Sequence, residues 1–144
     1  MLLEAMLCLV VAIADGDTLT VRCGNPGAYE QLRVRINAID APERSQDFGS
    51  VSRTSLSDLC FKKTAKVIPD GNRSYDRIVA TVECDGKDVA THQVLNGLAW
   101  VETRYAAKRQ DLFPLEQAAR QQRIGLWGLP NPVKPSEFRH QSKN

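Results

Sequence analysis

Imidazole is scarce in this chain of 144 residues, with His92 and His140 the only two histidines, and none of the four cysteines belongs to a C-x-x-C pair. That leaves no basis for a zinc site. No apolar run approaches the ~20 residues of a membrane helix, which argues against a spanning segment. There is no P-loop, no G-x-G-x-x-G fingerprint, no serine in a triad context and no internal repeat. The start of the chain lacks a positive n-region, and Glu4 interrupts it. Residues 7–14 therefore read as a buried strand rather than a signal peptide, with any leader already removed or never encoded. Net charge is also small, +2 from 19 basic and 17 acidic side chains, too little to identify a polyanionic partner. Its distribution is uneven. Residues 1–100 carry 11 basic and 13 acidic groups, and residues 101–144 carry 8 and 4. A basic C-terminal third suits a polyanion, although a solvated helix face accounts for it equally.

What is present is a soluble, turn-rich composition: 42% hydrophobic, 25% charged, 9 glycines and 7 prolines. The four cysteines, at 8, 23, 60 and 84, are even in number and widely spaced. They suit two disulfides and an oxidising compartment, with buried free thiols as the alternative. If they are bridged, Cys8–Cys23 and Cys60–Cys84 are the expected pairs, since the first flanks one predicted hairpin.

Strands are predicted at 7–14, 18–23, 31–39, 64–68 and 78–84. Asp15-Gly16 and Asp85-Gly86 mark turns, and Gly24-Asn25-Pro26-Gly27 and Pro69-Asp70-Gly71-Asn72 mark a loop and a turn. The clearest alternation sets Leu32, Val34, Ile36 and Ala38 on one face and Arg33 and Arg35 on the other. Helical spacing predicts helices over 48–61, over 88–96 with Asp88 as N-cap and Gly97 as stop, and over 112–124. Beyond 128, Pro130, Pro132 and Pro135 predict an extended arm over 129–144. Short strands with interspersed helices suggest a compact β-barrel with helices outside, for which an oligonucleotide-binding (OB) barrel is one solution.

Three segments could carry chemistry: Asp15-Gly16-Asp17-Thr18, Arg35 through Asp40-Ala41-Pro42-Glu43, and Tyr75-Asp76-Arg77. Each has an ordinary structural reading. Asp-Gly is a hairpin turn, Asp40 to Glu43 has the form of a helix capping box, and a strand arginine is a surface residue. Taken together they allow more. Asp17 at a strand start and Asp40 at a strand end can meet at one barrel rim. Two carboxylates and a backbone carbonyl there form an oxygen-only site for Ca²⁺ or Mg²⁺. Glu43 could reach an adjacent water, while Arg35 and Arg77 offer guanidinium forks to a phosphate. Such a set is suited to hydrolysis of a phosphodiester.

The ordered series of Asp-Gly-Asp-Thr, Arg-x-x-x-x-Asp-x-Pro-Glu, Tyr-x-Arg, Gly97-Leu98-Ala99-Trp100-Val101 and Gly125-Leu126-Trp127 resembles the staphylococcal thermonuclease-like family over residues 9–128. The resemblance implies a β-rich α+β domain over 7–128, a five-stranded OB barrel with three α-helices outside. It also implies Ca²⁺-dependent hydrolysis of DNA and RNA that leaves 3′-phosphate ends, in a secreted or periplasmic monomer. Carried over, Asp17, Asp40 and the carbonyl of Ala41 would hold the metal. Glu43 would be the general base, and Arg35 and Arg77 would hold the scissile phosphate. Tyr75 and Tyr105 would line the nucleotide site. The sequence departs from the family pattern at Ala41, where threonine is frequent, and at Arg73, Ser74 and Thr103, where aspartate, lysine and tyrosine are common. A non-catalytic OB module that grips single strands is the competing reading, and an exported structural domain is a third.

Overall fold

Alternating apolar side chains drive most of the chain into a closed barrel. A computed structural model describes residues 4–74 and 77–141. Its strands are β1 (Met6–Asp15), β2 (Thr18–Cys23), β3 (Glu30–Ile36), β4 (Ile39–Asp40), β5 (Thr64–Ser74), β6 (Arg77–Cys84), β7 (Lys87–Asp88) and β8 (Trp100–Val101). The sheet order is β3-β2-β1-β5-β6-β7, and a parallel β3–β6 pairing closes β3, β2, β1, β5 and β6 on themselves, with β7 paired outside the ring. Closure removes the open edges, and the inward set (Val10, Leu19, Val21, Leu32, Val34, Ile36, Val67, Ile78, Val82) fills the interior.

The alternation in β3 holds, with Leu32, Val34 and Ile36 buried and Gln31 and Arg33 exposed. The strand stops at Ile36, before the expected residue 39, because Ala38 takes a left-handed φ of 71°. The chain then turns into the short β4, which pairs with β8. Conversely, β5 runs on through the predicted turn at residues 69–72, accommodating it as a register shift between Pro69 and Arg73.

Among the described residues four α-helices pack outside, one more than the resemblance implies: α1 (Gly49–Cys60), α2 (Val89–Leu95), α3 (Leu112–Gln121) and α4 (Pro135–Gln141). Asp88 caps α2 as expected, its carboxylate accepting from Thr91 N at 2.9 Å. The expected C-terminal arm is irregular only to residue 134. Pro135 then opens α4, a position where its missing N–H leaves no bond unmade. The arm folds back on the body: Gln46 donates to the Val133 carbonyl at 2.9 Å and Pro135 is buried. Trp100 and Trp127 meet edge to face, 4.5 Å between centroids, in a second small core that Leu129 joins. Both expected disulfides are formed. Cys8–Cys23 links register partners on β1 and β2, and Cys60–Cys84 ties the end of α1 to β6. Among the described residues no helix is long and apolar enough to cross a membrane.

The β1–β2 turn is clamped from behind. Buried Gln93 donates to the Gly16 carbonyl at 2.8 Å and to the Ser52 carbonyl at 3.0 Å, and Ser52 Oγ donates to the Leu98 carbonyl at 2.8 Å. A Cβ on Gly16 would lie 1.8 Å from Ser52 Oγ. Gly16→Ala must therefore displace the turn from α1, an overpacking cost of about 1–3 kcal/mol. The expected readout is a fall in Tm of roughly 3–10 °C, together with weaker activity, since the next residue is Asp17.

Candidate active site

Barrel closure brings the three chemical segments together. Thr18 stands opposite Arg35 in the β2–β3 register, and Arg33 stands opposite Arg77 in the parallel β3–β6 pair. Residues two apart on a strand share a face, so Arg33, Arg35 and Arg77 project from one side of the closure seam. Ile36 N donates to the Asp17 carbonyl at 2.8 Å, which fixes the β1–β2 turn against the end of β3. Asp40 is held beside it by the β4–β8 pair, opposite Trp100.

Asp17 and Asp40 are both buried, at 6% and 5% exposure, and one guanidinium bridges them. Arg35 Nη1 lies 3.2 Å from Asp17 Oδ2, and Arg35 Nη2 donates to Asp40 Oδ1 at 3.3 Å. Asp17 also accepts from Thr18 Oγ1 at 2.8 Å and from Ala41 N at 2.7 Å. The Ala41 contact locks the 41–48 segment to the barrel. No helix begins at Asp40, so the capping-box reading of Asp40 to Glu43 does not apply. Instead Glu43 N donates to Gln46 Oε1 at 2.9 Å in a turn.

These residues line one pocket of about 260 Å³, which takes in Asp17, Arg35, Asp40, Ala41, Glu43 and Arg77. A neighbouring pocket of about 370 Å³ shares Arg35 and Arg77 and adds Tyr105, which is 62% exposed. Tyr75 lies outside the described residues. Two further arginines enter the main pocket. Arg33 was legible as a face-mate of Arg35. Arg139, from α4, had no local signal: it pairs with Glu43 and reaches Asp40 Oδ2 at 3.5 Å, across 99 positions of sequence.

The electrostatics follow from this crowding. Burial pushes the Asp40 carboxyl up to about 6, Arg35 opposes the shift, and the neighbouring Asp17 adds to it, with Arg139 opposing more weakly. Asp15, at the end of β1, is also raised, first by partial burial and then by Asp17 and Glu43. The two buried carboxylates thus share one guanidinium, that of Arg35, with Arg139 also reaching Asp40 and the Thr18 hydroxyl and Ala41 N–H donating to Asp17. An oxygen-only donor set built on two buried carboxylates suits a hard divalent cation and not zinc. Among the described residues no three His, Cys, Asp or Glu side chains form a ready-made cage, so any ion here would draw further ligands from backbone carbonyl and water.

Other candidates fall away from the pocket. His92 is half-buried, contacts Ser55 Oγ at 3.1 Å, and is lowered by that burial and by Lys87. Arg109 is committed to Asp88 at 2.8 Å and Asp111 at 3.0 Å. Arg104 stacks on Tyr105, 5.6 Å from its centroid. Arg73 pairs with Glu30.

Known proteins align with this arrangement. The profile of the staphylococcal nuclease homologue family matches residues 33–128, which include every pocket segment except those of Asp17 and Arg139. An uncharacterized endonuclease of Haemophilus influenzae is 39% identical over 140 residues, covering 97% of this chain and 76% of that protein. A micrococcal nuclease of Shigella flexneri is 37% identical over 146 residues, covering 94% and 81%. An uncharacterized endonuclease of Escherichia coli is 37% identical over 133 residues, covering 91% and 83%. With the barrel, the site order and these relatives in agreement, the chain belongs to the staphylococcal nuclease homologue family.

Proposed function

We propose that this nuclease is a Ca²⁺-dependent endonuclease that hydrolyses phosphodiester bonds of DNA or RNA, with Mg²⁺ as the other hard cation its donors could take. The supporting observation is that five residues from three distant segments, Asp17, Arg35, Asp40, Glu43 and Arg77, line one pocket. The Asp17 and Asp40 carboxylates and the Ala41 carbonyl would hold the ion, which supplies positive charge beside the scissile phosphate. Glu43 takes the proton from the attacking water. Arg35 and Arg77 grip the phosphate and stabilise charge that builds on its oxygens in the transition state. Tyr105, and Tyr75 by its sequence position, flank the nucleotide. The disulfides suit an oxidising compartment, so we place the protein outside the cytoplasm, secreted or periplasmic, and acting as a monomer.

Incubating plasmid and RNA with the protein in Ca²⁺, Mg²⁺ or EDTA tests the reading. Cutting with a divalent ion and none in EDTA is expected. Binding without cutting under every metal would instead identify a single-strand binding module. The pH dependence is also set. A proton on Asp40 competes with the cation, and this carboxyl is raised to about 6. Cation affinity therefore rises with pH through that value and levels off above it. Between one unit below and one unit above, the expected gain is about tenfold for one competing proton, measurable by calorimetry with Ca²⁺ alone.

A further inference from the structure

Three pockets adjoin one another through shared residues. The central one shares Arg35 and Arg77 with the Tyr105 pocket on one side. On the other side it shares Arg33, Glu43 and Arg139 with a groove of about 500 Å³ that adds Arg44 and Phe138. We propose that this groove is a subsite for the phosphodiester and base next to the scissile one on a single nucleic-acid strand. The proposal rests on the endonuclease reading and deepens it: a strand cut internally must leave the central pocket in both directions.

The chemistry of the walls suits that occupant. Arg33 lies two residues from Arg35 on the same strand face, about 6.6 Å away along the strand, which is of the order of the spacing between successive phosphates in an extended chain. Arg139 pairs with Glu43, and Arg44 lies 3.6 Å from Asp15, with side chains 49% and 63% exposed. Ion pairs this exposed hold weakly, so Arg44 can exchange Asp15, and Arg139 can exchange Glu43 while still reaching Asp40, for a phosphate whose oxygens suit a guanidinium fork. Phe138 is partly buried and gives a base an aromatic face for stacking. The exchange at Arg139 has a second effect. It releases Glu43, so filling the subsite exposes the carboxylate that acts on water. Substrates long enough to reach the groove then gain in turnover as well as in affinity, and α4 becomes part of the substrate-binding surface.

The test uses single-stranded oligonucleotides with one cleavable linkage, lengthened a nucleotide at a time on the 5′ or the 3′ side, with kcat and KM measured in Ca²⁺. On one side only, the nucleotide that enters the groove is expected to raise kcat/KM about tenfold, the scale of one stacked base. The Arg33→Ala/Arg139→Ala double variant, and separately Phe138→Ala, are expected to lose most of that long-to-short ratio. An unchanged ratio in both would overturn the proposal. Binding of an oligonucleotide in EDTA, followed by fluorescence anisotropy against salt, gives a readout independent of cutting. The slope of log affinity against log salt should shrink by about 0.7 per lost phosphate contact in the double variant and stay constant in Lys62→Ala, which is outside all three pockets. Equal slopes would reject the subsite. A protein that cuts under no metal yet shows the slope change would sink the catalytic reading and leave the groove standing.

Discussion

Arg35→Ala is expected to lower turnover on plasmid DNA at saturating Ca²⁺ by about 10²–10³-fold, the loss that follows removal of one preorganised charge contact to a transition state. Arg77→Ala should cost a similar factor, but the two variants differ in what else they change. Arg35 touches both Asp17 and Asp40, whereas among the described contacts Arg77 meets neither carboxylate. Without the Arg35 guanidinium, the strongest influence holding Asp40 down is gone, so its carboxyl rises further above about 6. The pH at which Ca²⁺ binding develops should then move upward in Arg35→Ala and stay in place in Arg77→Ala. Stability separates them as well. Two buried carboxylates left face to face destabilise the fold, and a divalent ion that binds between them offsets the loss through ligand linkage. Thermal unfolding of Arg35→Ala should therefore depend more steeply on Ca²⁺ than that of the parent. If both variants cut at near-parental rates, the phosphate-clamp assignment is wrong. If only the pH shift fails to appear, Arg35 does not govern the metal carboxylates.

How far the sequence could reach depended on the distance between partners. β3 was visible because two-residue alternation is a local signal, and its arginine face came with it. Asp88 as the cap of α2 and both cysteine pairs were legible for the same reason, a short-range pattern or an even count with a hairpin between two members. The boundaries that slipped were decided by tertiary contact. Ala38 takes its left-handed backbone where β3 ends and β4 begins, and β5 absorbs its Pro-Asp-Gly-Asn stretch because β6 pairs with it on both sides of the irregularity. At the site, Asp17, Arg35, Asp40, Glu43 and Arg77 were named from an ordered motif set. What gathered them around one pocket is the parallel β3–β6 seam for Arg77, the bond from Ile36 N to the Asp17 carbonyl and the β4–β8 pair for Asp40, none of which a local pattern encodes. Arg139 shows the limit most clearly. Nothing around it in sequence distinguishes it from other basic residues of the last third, and its role arises only because the 129–134 segment folds back and α4 docks beside Glu43.

Glu43→Gln isolates the proton-transfer step from everything else in the pocket. The amide keeps the length of the side chain and an oxygen that can still accept from Arg139, while the Glu43 N to Gln46 bond belongs to the backbone and survives. Asp17 and Asp40 are untouched, so Ca²⁺ affinity and its rise with pH should remain within about a factor of three, and Tm should shift little, as for most surface changes (about ±0.5 kcal/mol). Turnover alone should fall, by about 10²–10⁴-fold, the range for a positioned general base. A variant that folds, binds Ca²⁺ and grips oligonucleotide yet cuts this slowly would place the lost chemistry on the Glu43 carboxylate. A variant that cuts at the parental rate would show that water is activated elsewhere. The ion and the Arg35–Arg77 clamp would then carry the barrier reduction by charge alone, and the Arg139–Glu43 pair would be a structural tie for α4 rather than a cover over a base.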